Sequence, residues 1–179
     1  GGDDDYGATG ISFFSHDNEA SYNHLVRCSA PSYDYGEDGG GFATFLNSDR
    51  TYIHHNWVED SDGFIEVSMG TANDVIVAYN VSVNNDGRLT LLVLEGQYAS
   101  EVDNFRVEHN TIVEYASEDW VWAVFPFVGE PTIGTFMARN NIIYTENVWK
   151  ISNTSSFSHS HNLYRLGEGA KLGFELESG

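Results

Sequence analysis

The 179-residue chain is long enough for one domain with a continuous core, and its 41% hydrophobic and 14% aromatic content excludes disorder. With 27 acidic against 8 basic residues the formal charge is −19, which excludes nucleic acid and anionic membranes as partners, since Lys and Arg hold both. One cysteine, Cys28, excludes an internal disulfide, and the longest apolar run, 120–128, contains Pro126 and is too short to cross a membrane.

In chain order, residues 11–14 read as a strand and 15–19 as a loop, and then comes Tyr22-Asn23-His24-Leu25-Val26. The same local setting returns at His55-Asn56-Trp57-Val58, Tyr79-Asn80-Val81, His109-Asn110-Thr111-Ile112-Val113, Asn140-Asn141-Ile142-Ile143 and His161-Asn162-Leu163. The asparagines lie 21 to 33 residues apart. Uneven intervals around a constant core describe coils whose loops alone vary in length. Extended runs precede the asparagine at 51–55, 75–79, 105–109, 136–140 and 157–161. Second strands follow it at 57–59, 81–83, 111–113 and 142–144. After a polar turn come third strands at 42–46, 64–69, 88–94, 120–125 and 148–151, each closed by a loop. The Gly-rich segment 29–41 reads as a long loop before the first full third strand.

Three short strands per turn, stacked coil on coil, make an all-β parallel β-helix: a single-stranded solenoid of about six coils in one domain, 1–179. No stretch sustains helical apolar spacing. Asparagine suits the tight corner because it tolerates left-handed backbone angles, and its amide can bond the coils above and below as a ladder. The chain opens Gly1-Gly2-Asp3 without Met, and no capping element follows Lys171-Leu172-Gly173-Phe174. It therefore reads as an excised part of a longer solenoid.

Phasing every coil on its asparagine turns Ala43, Ile65, Leu89 and Val121 inward, with Phe45, Val67, Leu91 and Ala123. Phe42, Phe64, Arg88 and Trp120 then face outward in one row, and Thr44, Glu66, Thr90 and Trp122 in the next, with Lys150 after Trp122. Aromatics flanked by charge suit a pyranose ring, whose apolar face stacks while its hydroxyls bond. A one-residue slip exchanges the faces and would place Trp120 and Trp122 in the core instead. Tyr33 and Tyr35, in the loop beside this face, would wall a groove. Trp57 and Trp149 read as packing residues.

The turns before the third strands are acidic: Glu37-Asp38, Asp60 and Asp62, Asp86, Glu118-Asp119 and Glu146. Three readings stay open for this ridge. It is a solvated row of turn residues, a calcium site on Asp60, Asp62 and Asp86, or general acid and base on a glycoside, with Asp60, Asp62, Glu66 and Asp86 as the catalytic set. His55, His109 and His161 share their row with Tyr22, Tyr79 and Asn140; side-chain stacking is the economical reading, since zinc needs three or four converging ligands.

The asparagine corners, Gly39-Gly40-Gly41-Phe42, Asp60-Ser61-Asp62-Gly63-Phe64 and Asn84-Asn85-Asp86-Gly87 resemble the right-handed parallel β-helix proteins of the pectate-lyase-like group, over nearly the whole chain. That resemblance implies a sugar-polymer ligand and covers lyases, hydrolases, esterases and non-catalytic binding modules. Lyases of the group use calcium and an Arg or Lys base; here Arg88 is the one basic residue central on the candidate face, and a chain at −19 would repel a polyuronate. The hydrolases' paired aspartates with Gly-His-Gly and Arg-Ile-Lys segments do not occur, and neither does the esterases' Asp–Arg pattern. The expectation is a non-catalytic carbohydrate-binding module similar to the β-helical modules that bind xylan. It would recognise a neutral plant cell-wall polysaccharide as part of a larger secreted bacterial enzyme, extracellular or at the cell surface. No cofactor is expected, with calcium the one candidate ion. A β-helix lyase or hydrolase is the alternative, and a structural adhesin the third reading.

Overall fold

Each asparagine corner joins two columns of short strands that run along the stack. In the computed structural model, which describes residues 7–33, 36–44, 47–67, 70–85, 89–93, 99–115, 120–124, 135–146, 148–151 and 157–172 (backbone alone for 89–93, 99–100, 120–124, 148–151 and 157), the strands before the corners form one six-stranded parallel sheet. Its members are Glu19–Ser21, Tyr52–His54, Ile76–Ala78, Phe105–Glu108, Phe136–Arg139 and Phe157–Ser160. We call this the pre-corner sheet. The post-corner sheet holds His24–Val26, Trp57–Glu59, Val81–Val83, Thr111–Glu114, Ile142–Thr145 and Leu163–Leu166, again in chain order and all parallel. A third wall starts with the parallel strands Ala8–Phe13, Gly36–Thr44, Gly63–Val67 and Leu89–Val93. Trp120–Val124, Val148–Ile151 and Lys171–Leu172 form a further parallel sheet. The chain is a single-stranded parallel β-helix, as its asparagine recurrence predicts.

Alternation within each strand explains the core. Ile53, Val77 and Val107 point in from the pre-corner sheet, and Val58, Ile112 and Ile143 from the post-corner sheet, all at most 3% exposed. Phe105 and Phe136 stack in parallel between coils with centroids 5.3 Å apart. Each buried side chain of this size contributes on the order of 1.5–3 kcal/mol.

The ladder asparagines turn into the corners, with Asn56, Asn80, Asn110 and Asn141 buried and the end members Asn23 and Asn162 half-buried. Asn23 Nδ2 donates to Asn56 Oδ1 at 2.9 Å, Asn56 to Asn80 at 3.0 Å, Asn80 to Asn110 at 3.0 Å, Asn110 to Asn141 at 3.2 Å and Asn141 to Asn162 at 2.9 Å. The same oxygen also accepts the preceding asparagine's backbone N–H, so each amide serves two donors. The left-handed residue of the corner is the one before the asparagine: Tyr22, His55, Tyr79, His109, Asn140 and His161 have φ between 54° and 59°. The expectation that the asparagine itself takes that conformation is corrected: its role is to satisfy buried N–H groups. A second row repeats the device, with Cys28 N bonding Ser61 Oγ and Ser61 N bonding Asn85 Oδ1, each preceded by a left-handed residue (Arg27, Asp60, Asn84).

Two expectations for the third wall fail. Segment 29–41 is not a loop throughout: Ser29–Ser32 pairs antiparallel with Gly36–Gly39 as a hairpin feeding the long strand Gly36–Thr44. Gly39 (φ 154°) is required there, because a Cβ would lie 2.5 Å from the Cys28 carbonyl oxygen. The register also departs from the asparagine phasing: Phe42 pairs with Ile65, one residue away from Phe64, and Ile65 pairs with Leu91, two residues away from Leu89. Consecutive residues 40–44 and 63–65 are all buried, so both faces of these strands are covered and no outward platform exists there. Phe42 and Phe64 are 0% exposed, and their rings meet edge to face at 6.3 Å.

At the third corner, Arg50 reaches one coil back to Asp17 in a two-pronged pair, Nε to Oδ1 at 2.6 Å and Nη2 to Oδ2 at 2.9 Å. The Arg50 hydrogen bond and charge hold the Asp17 carboxyl below its ordinary value. A depressed carboxylate adds stability above its unfolded pKa, and that contribution is lost as pH falls through the folded value. In Arg50→Gln the Asp17 titration seen by carboxyl NMR moves up to the ordinary Asp range; an unmoved midpoint overturns this assignment.

Candidate functional site

The left-handed residues put their side chains outside the corner while the following asparagine turns in. Their rings form a continuous exposed column: Tyr22 and His55 are 5.2 Å apart at 25°, His55 and Tyr79 5.2 Å at 27°, Tyr79 and His109 5.0 Å at 10°. The spacing follows the rung spacing of about 4.8 Å. Left-handed backbone costs about 1–2 kcal/mol at each non-glycine residue. Ring stacking and the corner amides, which donate across coils (His55 N to Ala78 O, Tyr79 N to Glu108 O, His109 N to Arg139 O), oppose that cost. Tyr22, 78% exposed, ends the column with an open ring. The stacking read from the sequence for this row is present, and among the described residues no three His, Cys, Asp or Glu side chains converge where a metal could bind.

On the pre-corner flank Tyr52 stacks on His54 with centroids 3.9 Å apart. His54 Nε2 lies 3.0 Å from Glu19 Oε1, and its Nδ1 lies 2.8 Å from Nδ1 of His55. One proton fits between two ring nitrogens. With the carboxylate taking His54 Nε2–H, His55 Nδ1–H donates to His54 Nδ1, which leaves His55 Nε2 as an acceptor. Burial, together with the nearby Tyr79, Glu108, Glu19 and Tyr22, raises the Tyr52 phenol above its ordinary value, so it stays a hydroxyl donor.

On the post-corner flank Trp57 is 44% exposed, against its reading as a packing residue. Its Nε1 donates to Glu59 Oε2 at 2.7 Å, while Glu59 Oε1 lies 3.0 Å from His24 Nε2. His24 meets the indole edge on at 6.4 Å. The carboxylate thus holds both rings in place. The alternation Trp57-Val58-Glu59, in phase with Val81-Ser82-Val83, already carried that signal: Val58 turns in and Trp57 out. Column and flanks together present fixed aromatic rings, hydroxyls, imidazole nitrogens and carboxylates over four successive coils. Such a surface can take a sugar ring on the open face of Tyr22 or against exposed Trp57. It can bond sugar hydroxyls along the ring edges, with little ordering cost.

Among the described residues, the other sequence-predicted side chains lie elsewhere. Tyr33 is exposed in the hairpin turn, while Tyr35 lies outside the described residues. Glu66 is half-buried on the covered third wall. Asp60 is an exposed corner residue whose Oδ1 accepts from Asn84 Nδ2 at 2.7 Å, and Asp62 is half-buried in the next turn. Asp86 and Arg88 lie outside the described residues, and so do the side chains of Trp120 and Trp122. The backbone register does set Trp122 beside Lys150, as expected.

Sequence reasoning missed Tyr52, His54, Arg106, Glu108 and Arg139, which share the outer face of the pre-corner sheet. Phe105-Arg106-Val107-Glu108 alternates cleanly, so the outward direction of Arg106 and Glu108 is legible in the sequence. No protein-family model matches the chain, and no curated protein or solved structure is significantly similar to it.

Proposed function

We propose that this β-helix is a non-catalytic carbohydrate-binding module for a neutral plant cell-wall polysaccharide, xylan first, within a larger secreted polysaccharide-degrading enzyme. The observation that carries the reading is the fixed, exposed aromatic array of Tyr22, His55, Tyr79, His109 and Trp57. Rings locked by stacking or by a carboxylate lose little freedom on contact, which favours flat, weakly polar ligands. The charge of −19 supports a neutral chain over a polyuronate. Repetition of ring edges at the rung spacing supports a polymer, because weak contacts to successive sugars give useful affinity only when several act together.

Affinity electrophoresis on xylan, pectin, alginate and β-glucans, with and without chelator, tests this. Trp57→Ala and Tyr79→Ala should each weaken retention on the preferred polymer about tenfold, equivalent to about 1.4 kcal/mol. The melting temperature of Trp57→Ala should stay near wild type, since that ring is exposed. Tyr79→Ala gives up two stacked neighbours at a left-handed residue, so it should melt lower and is compared well below its midpoint. Retention unchanged in both variants removes the array as the site. Polymer cleavage by the wild type, lost in Asp62→Asn or Glu66→Gln, would replace the module with an enzyme.

A further inference from the structure

We infer that Arg106 and Arg139 form a carboxylate subsite beside the aromatic array, for a uronate branch on an otherwise neutral glycan chain; this rests on the polysaccharide reading above. The chain has 8 basic residues against 27 acidic ones, yet here two guanidinium groups surround one carboxylate. Arg139 Nε binds Glu108 Oε2 at 2.7 Å, and Arg106 Nη1 stands 4.0 Å from Glu108 Oε1. Glu108 is used by both, so the local charge is net positive.

Donors remain unused. Arg106 Nε is buried without a hydrogen-bond partner, although its side chain is 31% exposed. Among the described residues its terminal nitrogens make no hydrogen bond either, and these are the donors that an incoming carboxylate can reach. Among the described residues Arg139 bonds through Nε alone, leaving its terminal nitrogens open. Planar guanidinium forks match the two oxygens of a carboxylate.

Position links this pair to the array. In the pre-corner sheet Tyr52 is beside Ile76 and Ile76 beside Arg106; in the next outward row His54 is beside Ala78, Ala78 beside Glu108, and Glu108 beside Arg139. Arg106 therefore sits two rungs, about 10 Å, from Tyr52 on the same face. A glycan chain lying along the edges of the Tyr22–His109 column can direct a side branch across this face. The overall negative charge opposes a chain with a carboxylate on every sugar and tolerates sparse ones.

The test uses the whole chain with glucuronoxylan, the same polymer with its carboxyl groups reduced to alcohols, and unbranched xylan. Wild type should bind glucuronoxylan about tenfold more tightly than the reduced polymer, a difference that shrinks with salt and disappears in Arg106→Gln. Equal binding of the native and reduced polymers, or a preference that Arg106→Gln keeps, overturns the subsite. A titration with methyl glucuronoside, followed at the arginine Hε resonances, reads the subsite without any polymer. A shift of the Arg106 signal with no polymer retained keeps the subsite and removes the polysaccharide reading. No shift at Arg106 removes the subsite even where xylan is retained.

Discussion

Asn80→Ala should lower the melting temperature by about 10 °C. The Asn80 oxygen accepts from Asn56 N at 2.9 Å and Asn56 Nδ2 at 3.0 Å. Its nitrogen donates to Ile53 O and to Asn110 Oδ1, both at 3.0 Å. Asn80 is 1% exposed, so water cannot replace these bonds without opening the corner. Unmet buried groups cost about 1–3 kcal/mol each and share one network, which gives a loss of about 3–5 kcal/mol rather than a simple sum. Differential scanning calorimetry against exposed Ser158→Ala, expected to stay near wild type, provides the comparison. A shift as small as that of the control would mean that the ladder contributes little and that the corner is held by backbone bonds alone.

Phe64→Ala should destabilise by a similar amount, about 3–5 kcal/mol, and leave polysaccharide retention of the folded protein unchanged. Phe64 packs against Phe42 and belongs to the central cluster with Val58, Ile65 and Val67. Truncation leaves a cavity that neighbours from three coils cannot all collapse into. Chemical denaturation measures the first part, and affinity gels run well below the melting point measure the second. The pair of readouts separates core from platform. A small stability loss with a large binding loss would restore the outward reading of this ring, which its complete burial opposes.

The third wall shows why its faces were not legible from the sequence. Phase was carried from the asparagine corner through turns of unequal length, and one residue of error exchanges inside for outside. The hairpin of Ser29–Ser32 with Gly36–Gly39 and the one-residue offset of Phe42 onto Ile65 supply that error. Burial of consecutive residues then breaks the assumption that every second side chain reaches solvent. Strands adjoining the asparagine are read more safely, since no variable loop intervenes: Tyr22, His55, Tyr79 and His109 stack as their shared position predicts. Trp57 follows its corner directly, so its outward direction was also readable from the next residue, Val58.

The amino-acid sequence by itself determined the coil count, the three-strand turn, the buried amide ladder and the column of rings beside it. These depend on local spacing around a repeated asparagine, which survives changes in loop length. Only the tertiary structure decided which surface is exposed, that Phe42 and Phe64 are core, and that Glu59 holds Trp57 while Glu108 gathers two arginines. Those facts depend on cross-coil register and on what covers each face. Both join residues some 24 to 35 positions apart. Such long-range pairing is what chain periodicity alone leaves open.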